Sequence, residues 1–139
     1  LQKLIMAEFE WPVRVYYEDT DSGGVVYHAQ YLNFMERART EWLRSLGFEQ
    51  DVLIEQHQCI FAVHSMQVQF KRPARFNDAL VIRNSLTLAM RASLVFEQKV
   101  YCDDELLCQA EVKVACLNAN QFRPMPIPSF MLTELQGEC

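Results

Sequence analysis

The sequence is short of basic charge, of long apolar runs and of paired cysteines. Its 139 residues carry 13 Lys and Arg against 18 Asp and Glu, which gives a net charge of −5. A general binder of nucleic acid or of anionic membranes normally presents a basic patch, so this balance argues against both classes. No apolar run approaches the roughly 18 residues that mark a membrane span, so we expect none.

The cysteines do not form a recognisable framework. Cys59, Cys102, Cys108, Cys116 and Cys139 are odd in number, and no two of them have C-x-x-C spacing. This pattern disfavours a zinc site or a disulfide scaffold. We interpret the five as reduced thiols that serve mainly as small hydrophobic side chains. Such usage is typical of a cytoplasmic protein, and we predict that location.

The length and the N-terminus predict the organisation of the chain. The first ten residues mix charged with apolar side chains and have no small-residue cleavage site, so we expect no signal peptide. Half of the residues are hydrophobic, which is enough to build a core. The length suits one domain. We therefore expect a single domain over 1–139 with its core over about 11–128.

A short acidic block stands out from the rest. Glu18, Asp19 and Asp21 are followed by the pair Gly23 and Gly24, and a helical pattern begins directly after His28. A helix start offers unpaired backbone N–H groups and the positive end of the helix dipole. A carboxylate offers a base or a nucleophile. Together they can attack a carbonyl group and hold the resulting oxyanion.

Periodicity predicts one long helix among strands. Residues 11–18 alternate as a strand, whereas 29–46 place apolar residues on one helical face and end before Gly47. A second short helix is predicted over 50–57. Four alternating segments follow between 59 and 116, the first of them over 59–70. Three prolines from 124 to 128 are predicted to end the regular structure.

The order of elements predicts an α+β fold. Short turns join the later strands, and such turns favour antiparallel pairing. A sheet of about five strands that covers the long helix with one face satisfies the burial needs of both. The other face of the sheet is free to meet another subunit.

At this point the sequence resembles a known family. The stretch 13–28, with its D-x-D-x-x-G pattern, is similar to the 4-hydroxybenzoyl-CoA thioesterase family. Together with Tyr31 and 36–41, it is most similar to the Tol-Pal-associated acyl-CoA thioesterases of the YbgC type. Weaker similarity extends over 94–96 and 111–116, so the resemblance covers about 11–128. It implies the hotdog fold, an antiparallel sheet wrapped around a central helix. Ser22 departs from the alanine that close relatives often carry.

The resemblance implies roles for particular residues. It maps the catalytic aspartate onto Asp21 and the backbone N–H that polarises the thioester carbonyl onto His28. Tyr27 is expected to contact the substrate, and Arg91 and Ser93 are expected near the nucleotide part of CoA. Family members are dimers or tetramers with active sites between subunits. The implied substrate is a short or medium aliphatic acyl-CoA, with aromatic acyl groups also open.

Each of these residues has a simpler interpretation. Asp21 and its glycines suit an ordinary turn, and Asp19 suits a turn-stabilising acid. Glu36 suits a salt bridge or packing partner, although another branch of hotdog thioesterases places its catalytic acid on this helix. Arg91 suits a solvated strand end. Further basic candidates for binding the CoA phosphates are Lys71, Arg72 and Arg75. His57 and His64 are expected to be structural or exposed.

The chemistry needs neither a metal nor a cofactor. A thioester leaves as a thiolate, and a cysteine thiol has a reference pKa of about 8.5, so the leaving group needs little acid assistance. One carboxylate and an oxyanion donor are then sufficient. Two alternatives stay open: a hotdog dehydratase or hydratase, and a non-enzymatic binding protein for acyl carrier protein or for envelope partners.

Overall fold

The computed structural model describes residues 7–136, which form a five-stranded antiparallel sheet with three helices. The sheet has the strand order β1-β3-β4-β5-β2. This arrangement confirms the predicted α+β fold, with one long helix against an antiparallel sheet. The elements are β1 (Ala7–Arg14), α1 (His28–Ser45), α2 (Gln50–His57), β2 (Cys59–Phe70), β3 (Ala79–Ala89), β4 (Ser93–Cys102), β5 (Glu105–Asn118) and α3 (Ser129–Leu135).

Helix α1 fits its predicted span to within one residue and buries one face against the sheet. Phe34 and Met35 on that face are fully buried. The helix ends as expected before Gly47, whose φ of 91° lies in the left-handed region that favours glycine. Buried side chains of α1 are Tyr31, Phe34, Met35, Ala38, Trp42 and Leu43.

β1, β3, β4 and β5 alternate in burial as predicted, whereas β2 buries only Cys59. β2 has the predicted bounds, and the inward face of β5 is buried from Cys108 to Cys116. Pro12 lies within β1, where an interior strand would lose a hydrogen bond to the missing N–H. The position is tolerated because β1 lies at one edge of the sheet. β2 forms the opposite edge.

The first strand is shorter than predicted. β1 ends at Arg14, and Tyr17–Asp19 form a 3₁₀ turn instead of continuing the strand. The Asp19 carboxylate accepts a hydrogen bond of 2.8 Å from the backbone N–H of Tyr16 and so stabilises the turn. As a result Tyr17, predicted on the same side as Val13 and Val15, is 79% exposed, whereas Val15 is buried.

The prediction that the three prolines end the regular structure is wrong. Pro128 precedes α3, and Met131 and Leu135 on that helix are buried. Proline suits the position just before a helix, because it donates no N–H there and its φ is already helical. The interpretation of the cysteines as free thiols is confirmed for Cys59, Cys102, Cys108 and Cys116, while Cys139 lies outside the described residues.

A buried polar network fixes α1 on the sheet. Gln98 of β4 is fully buried and donates through its side-chain amide to the carbonyl of Met35, at 2.9 Å, and to the Asn84 side chain. Arg39 donates to the Gln98 side-chain oxygen at 2.7 Å, and Asn84 donates to the carbonyl of Phe9 at 2.9 Å. The network joins α1, β4, β3 and β1, so it limits how the helix shifts over the sheet.

Candidate active site

The acidic block folds back on itself and brings Asp21 towards the start of α1. Thr20 pairs with Val26 as an antiparallel bridge. The Asp21 N–H donates to the carbonyl of Val25 at 2.9 Å, and the Tyr27 N–H donates to the carbonyl of Asp19 at 3.0 Å. Asp21 therefore lies opposite Val25, and Val25 is three residues before the first residue of α1.

The two glycines allow the conformation that holds Asp21. The Asp21 side-chain oxygen Oδ1 accepts a hydrogen bond of 2.8 Å from the Gly23 N–H. A Cβ at Gly23 would lie 3.2 Å from the same oxygen, which is tighter than an ordinary contact. Gly24 has a φ of 81°, which an L-residue adopts only with strain. The carboxylate of Asp21 is exposed to solvent.

Asp19 has a structural environment, in agreement with the interpretation as a turn-stabilising acid. It is only 5% exposed. One carboxylate oxygen accepts from the Tyr16 N–H, and the other accepts from the Gln30 side chain, each at 2.8 Å. Since Gln30 lies in the first turn of α1, Asp19 ties the acidic loop to the helix. Buried hydrogen bonds of this kind hold a loop in one position.

His28 is the first residue of α1, so its backbone N–H belongs to the unpaired set at the helix start. Tyr27 precedes the helix and provides no side-chain cap. The carbonyl of Tyr27 accepts from the Gln30 N–H at 2.8 Å, and among residues 7–136 no such bond involves the His28 N–H. The His28 ring is exposed and lies against Tyr27 and Phe70, at centroid distances of 4.3 and 6.3 Å.

A cavity of about 230 Å³ opens beside His28. Tyr31 forms one wall, and its hydroxyl oxygen accepts a hydrogen bond of 2.9 Å from the Ala74 N–H. Burial raises the pKa of Tyr31, so the phenol stays protonated near neutral pH. The cavity thus combines an apolar wall with two cationic side chains. Its lining is Val26, His28, Tyr31, Phe70, Lys71, Arg72 and Pro73.

A second cavity, of about 190 Å³, lies further along α1 between the helix and β2. Glu36 and Arg39 reach it from the helix, and apolar side chains form most of the remaining wall. Burial lowers the pKa of Arg39, and Glu36 partly offsets this effect. The remaining lining residues are Thr40, Leu43, Gln50, Phe61, Ala62, Val63, Leu94, Phe96 and Val114.

Arg91 and Ser93 lie at the other end of the sheet from Asp21. Both belong to the β3–β4 connection and its junction with β4, whereas the acidic loop pairs with the segment just before β3. The 10 residues of β4 separate the two ends, or roughly 30 Å at about 3.3 Å per residue. Arg91 is exposed, and Ser93 is 8% exposed. Within one chain the structure therefore brings together Asp21, Tyr27 and His28 but not Arg91 or Ser93.

The described residues offer no metal cluster and no membrane helix. Within 7–136, no three His, Cys, Asp or Glu side chains are placed to hold a metal ion together. None of the helices in that range is both long and apolar enough to cross a membrane.

The fold and the acidic loop before α1 place the chain in the class of hotdog thioesterases. The model of the thioesterase-like superfamily matches residues 15–135, and the chain belongs to this superfamily. It is 44% identical over 120 residues to the acyl-CoA thioesterase YbgC of Haemophilus influenzae, covering 86% of this chain and 88% of the relative.

Two further comparisons agree. The acyl-CoA thioester hydrolase YbgC of Escherichia coli O6:H1 is 45% identical over 129 residues, which cover 92% of this chain and 96% of the relative. The crystal structure of a probable thioesterase from Bartonella henselae superposes with a TM-score of 0.84 at 35% identity, over 88% of this chain and 100% of the other. The predicted family resemblance and the hotdog fold are confirmed.

Sequence reasoning missed two residues that support the candidate site. Gln30 anchors Asp19, and Gln98 anchors α1, yet both are glutamines within otherwise ordinary amphipathic patterns. Gln98 stands between Phe96 and Val100 on the inward side of β4, so its position on an apolar face was the available signal.

Proposed function

We propose that this protein is an acyl-CoA thioesterase that hydrolyses acyl-CoA to a free acid and CoA. The observation that carries the proposal is the exposed carboxylate of Asp21, held on a folded-back loop beside the open N-terminus of α1. The relatives named acyl-CoA thioesterase cover most of the chain, which supports the substrate class. Asp21 is the base or nucleophile, and the N–H of His28 stabilises the oxyanion.

The magnitudes are sufficient for this chemistry. One oxyanion donor is typically worth about 10²–10³ in rate, and a positioned base or nucleophile contributes about 10²–10⁴. The thiolate of CoA leaves without strong acid assistance. The reaction therefore has no need of a Ser-His-Asp set. The Asp21 carboxylate either activates water or attacks directly to give a mixed anhydride, which water then hydrolyses at the acyl or the aspartyl carbonyl.

Replacement of the carboxylate tests the assignment. Asp21→Asn keeps an oxygen that can accept from the Gly23 N–H, so we expect the fold and KM to change little and kcat to fall about 10²–10⁴-fold. His28→Ala keeps the backbone N–H, so its loss is expected to be much smaller. Steady-state hydrolysis of acyl-CoA, followed with a thiol reagent, measures both. Near-normal turnover by folded Asp21→Asn would exclude Asp21 as the reacting group.

The same assay separates the alternatives. A dehydratase or hydratase changes enoyl absorbance without releasing thiol, and a binding protein releases none from any acyl-CoA. Single-turnover hydrolysis in water labelled with heavy oxygen detects one course of the nucleophilic role of Asp21. Label enters the Asp21 carboxylate if a mixed anhydride forms and water attacks its aspartyl side.

The cavity between α1 and β2 suits the acyl group. It lies along the helix whose N-terminus holds the thioester carbonyl, and most of its lining is apolar. Lys71 and Arg72, in the cavity beside His28, are suited to the CoA phosphates from the same chain. Arg91 and Ser93 reach the nucleotide only from a second copy of the chain, in keeping with a homodimer or homotetramer that has its active sites between subunits.

Filling that cavity is expected to change the preferred acyl length. Val63 lines the cavity and shares a face of the sheet with its partner Val114, so Val63→Phe removes space without exposing new polar groups. We expect kcat/KM for the longest accepted acyl groups to fall about tenfold or more, with short acyl groups unaffected. The control is Ala115→Leu, at the neighbour of Val114 on β5, whose side chain points to the other face of the sheet and does not line the cavity. Equal length profiles for the two variants would place the acyl group elsewhere.

Three finer points rest on the family resemblance. Acyl carrier protein is a further substrate carrier, tested by comparing acyl-carrier with acyl-CoA substrates of the same acyl group. Association with Tol-Pal envelope proteins is tested by co-purification under native conditions. A cytoplasmic location is tested by fractionation of cells that produce the protein.

A further inference from the structure

Two cysteine side chains outside the proposed active site lie against each other. Cys59 begins β2 and Cys116 lies near the end of β5, and their Sγ atoms are 3.2 Å apart. Cys59 pairs with Asn118, and Phe61 pairs with Cys116, so the two cysteines are diagonal neighbours on one face of the sheet. Both are buried, with exposures of 1% and 0%.

The two Sγ atoms need only a small movement to form a disulfide. A disulfide bond is about 2.0 Å long, so the sulfurs must approach by about 1.2 Å. β2 is an edge strand, and its first residues follow Gln58, which has a positive φ of 54°. This end of β2 has strand pairing on one side only and can take up the shift. Diagonal neighbours are wider apart than most disulfide-bonded residues, so the bond is strained and easily reduced.

The hydrogen bond between the thiols gives them different roles. The hydrogen bond to Cys116 lowers the pKa of Cys59, whereas the same bond and burial raise the pKa of the Cys116 thiol. Cys59 is therefore the better thiolate and the attacking sulfur. Cys108, by contrast, stands without such a partner among the described residues, and burial raises its pKa to about 11. The pair is set apart from the other described thiols.

A small oxidant has a route to Cys59. A cavity of about 170 Å³ lies between α2 and β2, and Cys59 forms part of its wall. Its other lining residues are Gln50, Leu53, Ile54, Ile60 and Phe61. A water molecule occupies about 30 Å³ in the liquid, so a hydroperoxide of similar size fits the space.

We propose that Cys59 and Cys116 form a thiol-oxidation site that a small hydroperoxide converts reversibly into an intrachain disulfide. The Cys59 thiolate attacks a peroxide oxygen, the O–O bond breaks, and hydroxide leaves and takes up the proton lost by Cys59. Cys59 is then a sulfenic acid. The Cys116 sulfur attacks the Cys59 sulfur, the S–O bond breaks, and a second water carries away the Cys116 proton. Overall, two thiols and one hydrogen peroxide give one disulfide and two waters.

The disulfide fastens segments that are otherwise joined by hydrogen bonds. The Cys116 N–H donates to the carbonyl of Ala92 at 2.8 Å, and the Cys116 carbonyl accepts from the Met125 N–H at 3.0 Å. The new bond therefore ties the start of the edge strand β2 to the β3–β4 connection through Cys116. This inference does not depend on the proposed acyl-CoA activity.

Peptide mapping of the oxidised protein tests the proposal. The reduced full-length protein is treated with hydrogen peroxide, denatured, alkylated and digested without reductant. We expect a peptide pair that joins Cys59 to Cys116, an intact mass lower by two hydrogen atoms, and full reversal by dithiothreitol. The proposal is overturned if both cysteines remain fully alkylatable while other thiols oxidise, or if either forms its disulfide with a different cysteine.

Two variants test whether oxidation at the other cysteines explains the result. Cys116→Ala removes the resolving thiol, so Cys59 is expected to stop at the sulfenic acid, which a dimedone-type probe captures. A variant with Cys102, Cys108 and Cys139 all replaced by alanine is expected to keep the full mass loss and its reversal. Loss of the disulfide in a folded triple variant, as judged by circular dichroism, would contradict the proposal. The wild-type peptide map decides the question if either variant fails to fold.

Discussion

At the scale of single residues, two identical side chains two positions apart have different environments. Asp19 is buried and accepts hydrogen bonds through both of its carboxylate oxygens, whereas Asp21 is exposed and accepts one through Oδ1. A buried carboxylate whose two oxygens both accept hydrogen bonds stabilises the structure. An exposed carboxylate with one oxygen that accepts no hydrogen bond is able to react with a substrate. The sequence shows two aspartates in a turn. The family resemblance suggests different roles for them, and the positions of the Tyr16 N–H and the Gln30 amide, set by folding, provide the physical difference.

Gly23 provides a residue-scale test that leaves the acid itself intact. A Cβ at this position would lie 3.2 Å from the Asp21 Oδ1, so Gly23→Ala pushes the carboxylate aside or weakens the 2.8 Å hydrogen bond. We expect kcat for acyl-CoA hydrolysis to fall about tenfold or more, because a misplacement of about 1 Å can cost up to 10²-fold in rate. Thermal unfolding should change little, since the loop is exposed.

Ser22→Ala is the matched control, because Ser22 lies in the same exposed turn. Within residues 7–136 its side chain makes no hydrogen bond. Its kcat is expected to equal that of the wild type. If Gly23→Ala also kept full kcat, the exact position of the Asp21 carboxylate would not limit the reaction, and the proposed role of Asp21 would be contradicted.

At the scale of elements, regular segments were predictable and the exceptions depend on distant contacts. The spans of α2 and β2 agree with their periodicity, and α1 begins one residue before its predicted start. Periodicity sufficed for α1 because that helix buries one continuous face of apolar side chains. The helix α3 was missed because three prolines precede it and its short span holds only two buried residues. The 3₁₀ turn at Tyr17–Asp19 was missed because it depends on side-chain hydrogen bonds.

The contact between α1 and β4 depends on Gln98. Gln98→Leu removes the acceptor of the Arg39 hydrogen bond and the donor to Met35 and Asn84, and it leaves these partly buried groups without their partner. We expect the free energy of unfolding to fall by about 2–3 kcal/mol, since unsatisfied buried polar groups cost more than the net gain of a hydrogen bond. Urea denaturation followed by circular dichroism measures the change.

Gln109→Leu is the control for the Gln98 substitution. Gln109 lies on β5, and its side chain makes an exposed hydrogen bond of 3.0 Å to Gln69. Its replacement is expected to alter the unfolding free energy by no more than about 0.5 kcal/mol, as is usual for surface positions. Equal stability of the two variants would show that the buried network does not hold α1 in place.

At the scale of the whole molecule, the predicted site residues divide into two groups. Asp21, Tyr27 and His28 lie at one end of the sheet, and Arg91 and Ser93 lie at the other, about one strand length away. The sequence pattern gave no warning of this separation, because spacing along the chain does not report which ends of antiparallel strands meet. If both groups serve one substrate, two copies of the chain must contribute to each site.

Mixed oligomers of two impaired variants test this arrangement. Asp21→Asn damages the reacting end of the site, and Arg91→Ala is expected to raise KM by weakening the hold on the nucleotide. In a homodimer assembled at random from equal amounts of the two variants, half of the dimers are mixed, and each mixed dimer has one site without either substitution. We therefore expect co-refolded samples to recover about a quarter of wild-type activity at substrate concentrations well below the KM of Arg91→Ala. The same variants refolded separately and then combined are the control, and they should show only the mean of the two parents. No gain on co-refolding, with mixed dimers verified by two affinity tags, would place Arg91 outside the site.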